Sequence, residues 1–526
     1  MVLKIGSRRS DLARLQSYRV AQALQQIQTQ TKSQQHWPLK IEFIFKESLG
    51  DKNLTDPLWQ MPEKGVFTQD FLGDLESGAV DMVVHSWKDL PTEPRLTTTI
   101  AATLPRADQR DVLLFKKSSR QRATSSHQIT VFSSSPRREH NLKPFLKDHL
   151  PFSLREVQFT SVRGNVQTRV RKLIEAANVD GLILAKAALD RLLAAEESDL
   201  QETRTFLRQS LEKFDWCVLP LSLNPAAAAQ GALAIEIRSD RSDLMQLLAL
   251  INCPTTFAQV EAERSTLTRF GGGCHQKIGI SIIAHRLGQV SSLRGLSPSG
   301  ETLEEWRFHS STATPPPRMH ESLLWSLPAQ QKPQPQALLP TELANAEASM
   351  KSCDGIFVAK GSAWPETFTP LQKHQVLWTS GLETWKALVR RGVWVHGSQE
   401  SLGELHPLQL EGMAPQLKRW IKLTHRESKD TLAILSNAEK NSQWIPVPTY
   451  QLASGEANFE IGDQQFFFWP SSTVFLQAIR QKPEILQRHH ATGLGHTYDL
   501  VCHHVRDKTR VHAFANEKDW RQQCKL

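Results

Sequence analysis

The chain has 526 residues, of which 40% are hydrophobic and 22% charged, and this balance excludes a disordered or fibrous protein. Its formal net charge of +9 indicates an anionic partner, which could be a nucleic acid, a membrane surface or a small polycarboxylate. No long apolar run occurs and the N-terminal segment is rich in charges, so we expect neither a membrane span nor a secretory signal and predict a cytoplasmic protein.

The six cysteines are widely separated and form neither a C-x-x-C pair nor a metal-spaced set with histidine. We therefore expect neither a disulfide framework nor a structural zinc site, and we predict that the protein holds no metal. The cysteines are Cys217, Cys253, Cys274, Cys353, Cys502 and Cys524.

The first block of the sequence alternates short apolar runs with helical periods, which is typical of an α/β unit. A strand at residues 3–6 precedes a helix that opens at Ser10, whose hydroxyl can cap it. Further strands are predicted at residues 41–45 and 81–85, with a short helix at 68–76. The strand at 81–85 ends in H-S-W-K-D, and polar residues just past a strand's carboxyl end are well placed to bind a ligand.

A second alternating block has predicted strands at residues 130–133 and 181–185 and a predicted helix at 165–176. The run G-L-I-L-A at 181–185 favours a strand buried on both faces, and it leads into a helix that continues to Leu193. A third block, at about residues 253–309, combines one helical period with three strand-like runs. It is predicted to be a small α+β unit.

Residues 313–336 contain P-P-P, further prolines and repeated glutamine, and we interpret residues 313–340 as a linker. Beyond it, two segments share an approximate pattern of strand, serine-bearing turn, helix and glycine turn. The first contains Ser362 and Thr384, and the second contains Ser471 and Thr497. This repeat predicts two similar α/β halves in region 341–526.

Arginines and hydroxyls recur at the predicted turns, and guanidinium groups pair with carboxylates through two-point contacts that lysine does not reproduce. An isolated arginine is more often a solvated surface residue, but repetition at strand ends favours a site for a carboxylated ligand. The candidates are Arg8, Ser10, Ser133, Ser134, Ser135, Arg137, Arg138, Arg163, Arg169 and Arg191.

Two residues are candidates for the chemistry itself. Asp89 follows Lys88 in V-V-H-S-W-K-D-L-P-T, where a carboxylate can donate a proton or stabilise a cationic intermediate, although a turn aspartate is the commoner role. Cys274 lies in F-G-G-G-C-H, and its glycines supply no side chains to bury the sulfur. This setting favours an accessible nucleophile over the buried, inert role that is usual for a free cysteine.

Three further residues are candidates by context only. Lys64 in E-K-G-V-F-T could flank a ligand, and Phe67 could pack against a planar ring, although a core position is more common for phenylalanine. Gln230 in A-Q-G-A-L-A-I-E could orient a substrate or mark a crossover between domains.

Taken together and in order, segments from the first half of the chain resemble porphobilinogen deaminases. They are I-G-S-R-R-S-D-L-A-R-L-Q, K-G-V-F-T, D-M-V-V-H-S-W-K-D-L-P-T, S-S-S-P-R-R, R-G-N-V-Q-T-R, A-Q-G-A-L-A-I-E and G-G-G-C. The resemblance implies three α/β domains, of which the first two are similar to periplasmic binding proteins and enclose a cleft. The third would be a small α+β domain that carries the cofactor cysteine.

On this basis we predict domain 1 at residues 1–106 plus about 232–250, domain 2 at 107–231 and domain 3 at 251–312. The linker at 313–340 and a second region at 341–526 would follow.

The resemblance also implies that Cys274 holds a dipyrromethane primer through a thioether. Asp89 would contact pyrrole nitrogens, assist the loss of ammonia and stabilise the resulting azafulvene cation. Residues expected to bind the cofactor are Ser86, Lys88, Asp89, Ser134, Ser135, Arg137, Arg138 and Cys274. Residues expected to bind the substrate are Arg8, Ser10, Lys64, Phe67, Ser133, Arg163, Arg169, Arg191 and Gln230.

Four porphobilinogen molecules would be joined to the primer one by one until hydrolysis frees hydroxymethylbilane. The partners would then be porphobilinogen and the linear tetrapyrrole, with no nucleic acid or membrane, and the deaminase part would be monomeric. The sequence departs from the usual family motifs at Phe132, Pro136 and Ala188, and these departures bear on the geometry of the pocket.

Region 341–526 weakly resembles uroporphyrinogen-III synthase, and Tyr450 and Thr497 are its candidate site residues. An appendage without this activity is the alternative for that region. For the chain as a whole, the alternatives are a cleft protein that binds a carboxylated ligand without chemistry and, from the high pI, a nucleic-acid-binding protein.

Overall fold

The structure, a computed structural model, describes residues 2–30, 39–47, 71–272, 276–312, 314–368, 371–427, 444–453 and 459–526. Within these ranges we find no helix with the length and apolar character needed to span a membrane. The same residues contain no group of three or more His, Cys, Asp or Glu side chains arranged to hold a metal ion.

The strands, in chain order, are β1 (Val2–Arg8), β2 (Lys40–Lys46), β3 (Met82–Ser86), β4 (Thr98–Ala102), β5 (Asp111–Lys116), β6 (Gln128–Phe132), β7 (Glu156–Thr160), β8 (Gly181–Ala185), β9 (Phe214–Val218), β10 (Leu233–Arg238), β11 (Gly279–His285), β12 (Gly288–Leu296), β13 (Thr302–Ser310), β14 (Leu324–Ser326), β15 (Pro335–Ala337), β16 (Gly355–Val358), β17 (Val376–Thr379), β18 (Gly397–Ser398), β19 (Trp420–His425), β20 (Trp444–Leu452), β21 (Phe466–Trp469), β22 (His489–Thr492) and β23 (Val511–Ala513).

The helices are α1 (Asp11–Gln30), α2 (Leu72–Glu76), α3 (Arg120–Ser126), α4 (Pro136–His149), α5 (Val166–Glu175), α6 (Lys186–Leu193), α7 (Gln201–Leu211), α8 (Ser242–Ala249), α9 (Pro254–Thr268), α10 (Pro340–Lys351), α11 (Leu382–Val389), α12 (Ser472–Gln481), α13 (His496–His504) and α14 (Glu517–Cys524). Pro136 occupies the start of α4, where a missing N–H costs nothing.

Two five-stranded sheets share one topology. The first unit has strand order β2-β1-β3-β10-β4, and the second unit has order β7-β6-β8-β5-β9. In each sheet one strand, β10 or β5, runs antiparallel to both neighbours, while the first three strands are parallel. The predicted pair of periplasmic-binding-protein-like α/β units is confirmed.

The antiparallel strands show how the chain passes between the units. It leaves the first unit after β4, enters the second at β5, and returns after β9 to place β10 in the first sheet. The two crossover segments touch where the Ala107 N–H donates to the Gly231 carbonyl at 3.2 Å. Gly231 has φ +89, and a Cβ there would overlap the Ala107 carbonyl, so this contact requires glycine.

The third unit consists of helix α9 and the antiparallel sheet β11-β12-β13, which agrees with the predicted α+β fold. Its helix packs on the first unit, where Phe257 contacts Trp87 with ring centroids 5.1 Å apart. Its sheet packs against the returning crossover, because the Ile280 N–H donates to the Ala226 carbonyl at 2.9 Å. The third unit therefore contacts both the first unit and the crossover segment that leads back to it.

Beyond the third unit lie two α/β lobes, whose sheets are mostly parallel. The first lobe has strand order β15-β20-β19-β16-β17-β18, and the second has order β14-β21-β22-β23. Strands β19, β16, β17 and β18 correspond in order to β14, β21, β22 and β23, so the predicted repeat exists. The halves differ because a 3-10 turn at Gly361–Ala363 stands where helix α12 stands in the second lobe.

The interpretation of residues 313–340 as a linker was wrong in part. This stretch supplies β14 to the second lobe and β15 to the first. Both strands lie at sheet edges, where prolines that would break an interior strand are tolerated. Proline content alone therefore misled the prediction, and the proposed domain boundaries stay predictions.

The first lobe shares a hydrophobic core with the second unit. Trp385 of α11 is fully buried, packs edge-on against Phe145 of α4 at 5.4 Å, and donates its indole N–H to the His149 carbonyl at 2.8 Å. Trp394 likewise donates to the Trp216 carbonyl at 2.9 Å. The lobe is thus built onto the second unit.

Candidate active site

Several predicted site residues lie at the carboxyl ends of strands in both units. Arg8 ends β1, Ser86 ends β3, and Lys88 and Asp89 form the 3-10 turn that follows β3 directly. In the second unit, Ser133 follows β6. This is the edge at which α/β sheets bind ligands.

Charges of both units act on Arg169. Burial, together with the positive charges of Arg138, Arg163 and Arg8, lowers the pKa of Arg169 to about 10, while the negative charge of Asp89 opposes this shift. Arg8 and Asp89 belong to the first unit, whereas the other residues belong to the second. Arg169 of the second unit therefore lies near charged side chains of the first.

A buried carboxylate that the sequence analysis missed organises this cluster. Asp111, at the start of β5, accepts hydrogen bonds from Arg138 at 2.6 Å and from Arg137 and Asn224 at 2.9 Å each. Burial alone would raise its pKa, but the guanidinium groups of Arg138 and Arg137 hold the pKa of Asp111 well below its usual range. In sequence it reads only as the polar first residue of the strand D-V-L-L-F-K.

Arg137 and Arg138 differ in the N–H donors that remain available to a ligand. Arg137 also donates to the Pro225 carbonyl at 2.5 Å and to Asn224 at 3.1 Å, so protein groups occupy it. Arg138 bonds to Asp111 and to the Ile183 carbonyl, but its buried Nε has no hydrogen-bond partner among the described residues. Arg138 is therefore the better placed of the two to meet an anion.

Gln230 joins the two units through side-chain hydrogen bonds. Its amide nitrogen donates to Asp111 and to the Gln109 carbonyl at 2.8 Å each, and its amide oxygen accepts from Lys88 at 3.2 Å. Burial lowers the pKa of Lys88. The negative charge of Asp89 opposes this shift, and the positive charge of Arg138 adds to it. Gln230 thus lies at the crossover between the two units.

The hydroxyl run after β6 holds the turn and caps the next helix. Ser134 donates to the Val162 carbonyl at 2.7 Å and accepts from the Val162 N–H at 2.9 Å. Ser135 caps α4 by accepting from the Arg138 N–H at 3.4 Å, and Ser133 is buried and accepts from the Ser135 N–H at 3.2 Å. These serines position the arginines that follow them.

The remaining predicted residues also have protein contacts. Arg169 donates to the Gly164 carbonyl and Arg191 to the Gly231 carbonyl, both at 2.7 Å. In the first unit the Ser86 hydroxyl accepts from Gln16 at 2.8 Å, and Ser10 immediately precedes α1.

Cys274, Lys64 and Phe67 lie outside the described residues. The loop that leads to Cys274 is described as far as Gly272, which has φ +61. A Cβ at Gly272 would overlap Oγ1 of Thr92, and Thr92 follows Asp89 by three residues. Arg264 of α9 holds the same segment by donating to the Leu90 carbonyl at 3.1 Å.

The chemistry of these residues suits a dipyrromethane with acidic side chains. Cations of both units lie near Arg169, and within the described part of the chain the buried Nε of Arg138 has no hydrogen-bond partner. Guanidinium groups are the preferred partners of carboxylates. The carboxylates of a dipyrromethane are therefore groups that these side chains can bind.

The two C-terminal candidates occupy different settings. Tyr450 of β20 is buried in the core of the first lobe, and burial raises the pKa of its hydroxyl. Thr497 lies in the first turn of α13, where its hydroxyl accepts from Ser472 at 3.4 Å. Thr497 therefore contacts the serine turn of the second lobe.

Two α/β units of periplasmic-binding-protein type, joined by two crossover segments, define the class of protein. The family model described as "Porphobilinogen deaminase, dipyromethane cofactor binding domain" matches residues 3–246. A porphobilinogen deaminase of Syntrophomonas wolfei is 34% identical over 320 residues, which cover 61% of this chain and 92% of that protein. The chain belongs to the porphobilinogen deaminase family.

Other relatives support the same assignment. A porphobilinogen deaminase of Acidothermus cellulolyticus is 34% identical over 57% of this chain and 81% of its own length, and one of Natranaerobius thermophilus is 32% identical over 56% and 86%. Among solved structures, the periplasmic aliphatic sulphonate binding protein SsuA of Escherichia coli matches 51% of this chain and 70% of its own, with 13% identity and a TM-score of 0.22. That likeness is too weak to inform fold or ligand.

Membership of the family fixes the substrate class and the cofactor. The family acts on porphobilinogen in tetrapyrrole biosynthesis, and the matched domain binds dipyrromethane.

Proposed function

We propose that this chain condenses four porphobilinogen molecules into hydroxymethylbilane, with release of ammonia, on a dipyrromethane held covalently by Cys274. The observation that carries the proposal is that Arg8, Arg138, Arg163 and the carboxylate of Asp89 all act electrostatically on the buried Arg169. The cofactor would supply the nucleophilic pyrrole carbon to which the first ring is joined.

Asp89 is the proposed catalytic residue. Each condensation expels ammonia from porphobilinogen and leaves a positive charge on the pyrrole-derived fragment. A fixed carboxylate stabilises such a charge and can relay the proton that the leaving amine takes up. The short turn Trp87–Asp89 keeps this carboxylate at the end of β3, because Trp87 is buried against α9.

The arginines are the proposed carboxylate-binding residues. Arg8, Arg163, Arg169 and Arg191 would hold acetate and propionate groups of the substrate, and Arg138 would hold those of the cofactor. Asp111 and Gln230 keep Arg138 and Lys88 in place across the crossover.

The proposal is tested by incubating the purified chain with porphobilinogen and measuring ammonia and linear tetrapyrrole. Four molecules of ammonia for each hydroxymethylbilane would support it. Binding of porphobilinogen without its consumption would instead support a cleft protein that lacks catalysis.

For the C-terminal region we propose cyclisation of the product to uroporphyrinogen III. The supporting observation is the pair of lobes with corresponding parallel strands, because a two-lobed protein can enclose a large, flexible tetrapyrrole. The intact chain should then yield the type III isomer from porphobilinogen. Formation of only the type I isomer would show that the region is an appendage without this activity.

The cytoplasmic location and the monomeric state of the deaminase part are also proposals. The monomeric state rests on chemistry that needs one chain only. Cell fractionation and sedimentation of the purified protein test them.

A further inference from the structure

Four charged side chains form a buried cluster beside the candidate site. Lys186 bonds to Asp190 at 2.5 Å and approaches Asp108 at 3.3 Å, and Arg110 bonds to Asp108 at 2.7 Å. The Lys186 side chain is fully buried. Buried charges require partners on every side, so whatever covers this cluster contributes to its geometry.

The cluster adjoins two residues of the site directly. Arg110 precedes Asp111, which binds Arg137 and Arg138, and Asp190 precedes Arg191 on helix α6. Lys186 and Asp190 are one turn apart on that helix. A displacement of the cluster would therefore move the helix that carries Arg191.

A segment of the first lobe, residues 408–413, covers the cluster, and we call it the strap. The Leu408 carbonyl accepts from Arg110 at 2.6 Å, and the Gln409 carbonyl accepts from Lys186. Both cations of the cluster thus depend on peptide groups of the C-terminal region. Gln409 has φ +56, a conformation that non-glycine residues rarely adopt and that these contacts help to hold.

The strap also touches the helix sterically. A Cβ at Gly412 would lie 2.6 Å from Oδ1 and 2.8 Å from Cβ of Asp190, which is closer than such atoms approach. Met413 is buried in the core of the second unit together with Leu189 and Leu192 of the same helix. The strap therefore sits against both the charged and the apolar side of α6.

We propose that the strap positions Arg191, so that the C-terminal region sets the affinity of the deaminase for porphobilinogen. The inference rests on the proposed function, in which Arg191 holds a substrate carboxylate. Gly412 and Asp190 are positioning residues, because they act through the helix and not on the substrate. Arg110 and Lys186 transmit the position of the strap to the helix and to the start of β5.

The test uses Gly412→Ala in the full-length chain. The added methyl group should push α6 away from the strap and misplace Arg191. We expect KM for porphobilinogen to rise about tenfold, as for the loss of one charged hydrogen bond, with kcat and primer content nearly unchanged. Gly462→Ala is the matched control, because its Cβ would meet only Gln464 at 3.6 Å.

Two further variants make the outcome decisive. Asp190→Asn removes the ion pair with Lys186 without adding volume, and it should raise KM in the same direction even if Gly412→Ala does not fold. Arg191→Lys tests the proposed function itself and should also raise KM.

The results separate the two proposals. If Arg191→Lys raises KM while Gly412→Ala and Asp190→Asn behave like Gly462→Ala, the strap proposal is overturned and the role of Arg191 stands. If Arg191→Lys leaves KM unchanged, the assignment of Arg191 is wrong and the strap cannot act through it. A rise in KM for all three variants, with normal kcat, supports both.

Discussion

Gly272 and Thr92 are in direct contact: a methyl group on Gly272 would overlap the Thr92 hydroxyl. Gly272 lies two residues before Cys274, and Thr92 lies three residues after Asp89. The contact therefore brings the start of the cysteine-bearing loop of the third unit against the segment that carries the proposed catalytic carboxylate.

This contact gives the first prediction. Gly272→Ala should reduce the rate of porphobilinogen consumption by at least about tenfold, because the overlap displaces the loop as well as straining the backbone. Gly271→Ala is the control, since Gly271 also has positive φ but a Cβ there would meet only Gln276 at 3.6 Å. The double variant Gly272→Ala/Thr92→Ala should recover activity towards that of Gly271→Ala. Equal rates for the two single variants would contradict the role of the contact.

The second prediction concerns Asp89. Asp89→Asn should unfold at nearly the wild-type temperature but lose at least about 100-fold in turnover, because the amide neither carries charge nor relays a proton. Asp89→Glu, which keeps the charge on a longer stem, should retain more activity than Asp89→Asn. Steady-state consumption of porphobilinogen, measured beside thermal unfolding, checks both. Normal turnover by Asp89→Asn would defeat the proposed role.

The third prediction concerns the contribution of Asp111 to stability. Asp111→Asn leaves Arg137 and Arg138 buried without their shared anion and should lower the free energy of unfolding by about 3–5 kcal/mol. Asp240→Asn is the control, because Asp240 pairs with Arg238 on the surface and its substitution should change the free energy of unfolding far less. Urea unfolding measures both. Similar small losses would mean that Asp111 does not organise the cluster.

The fourth prediction is a dependence of stability on pH. Burial lowers the pKa of His149 from 6.5 to about 4, opposed by its hydrogen bond to the Phe145 carbonyl. Between these values the unfolded chain binds more protons than the native one, so stability is full above pH 6.5 and falls as the pH drops towards 4. His149 alone accounts for about 3 kcal/mol of this loss.

Unfolding measured at pH 7 and pH 4.5 checks the effect. His149→Gln should reduce the loss, whereas His309→Gln, on an exposed part of β13, should leave it unchanged. Burial likewise lowers the pKa of His406 and His512 to about 4, so the stability of His149→Gln should still fall somewhat as the pH drops. An identical loss in wild type and His149→Gln would contradict the assignment.

Strong local patterns made much of the fold predictable. The buried run G-L-I-L-A predicted β8 with its observed bounds, and the helical period after it predicted the end of α6 at Leu193. The repeat in the C-terminal region was visible because strands and glycine turns recur in the same order. In each case neighbouring residues alone determine the pattern.

What escaped prediction depends on contacts between distant residues. Asp111 resembles any strand-opening aspartate until Arg137, Asn224 and Gln230 fold around it. The proline-rich stretch became partly strand because β20 and β21 offer it sheet edges. The strap over Asp190 joins residues more than two hundred positions apart, which no spacing rule reveals.

The account depends most on the covalent link between the cofactor and Cys274, and the mass of the intact protein tests it directly. Protein purified from cells that make porphobilinogen should exceed the mass of the bare chain by one dipyrromethane. Cys274→Ser should have the unmodified mass, while Cys253→Ser should keep the added mass. An unmodified wild-type chain, or an adduct that persists in Cys274→Ser, would contradict the account.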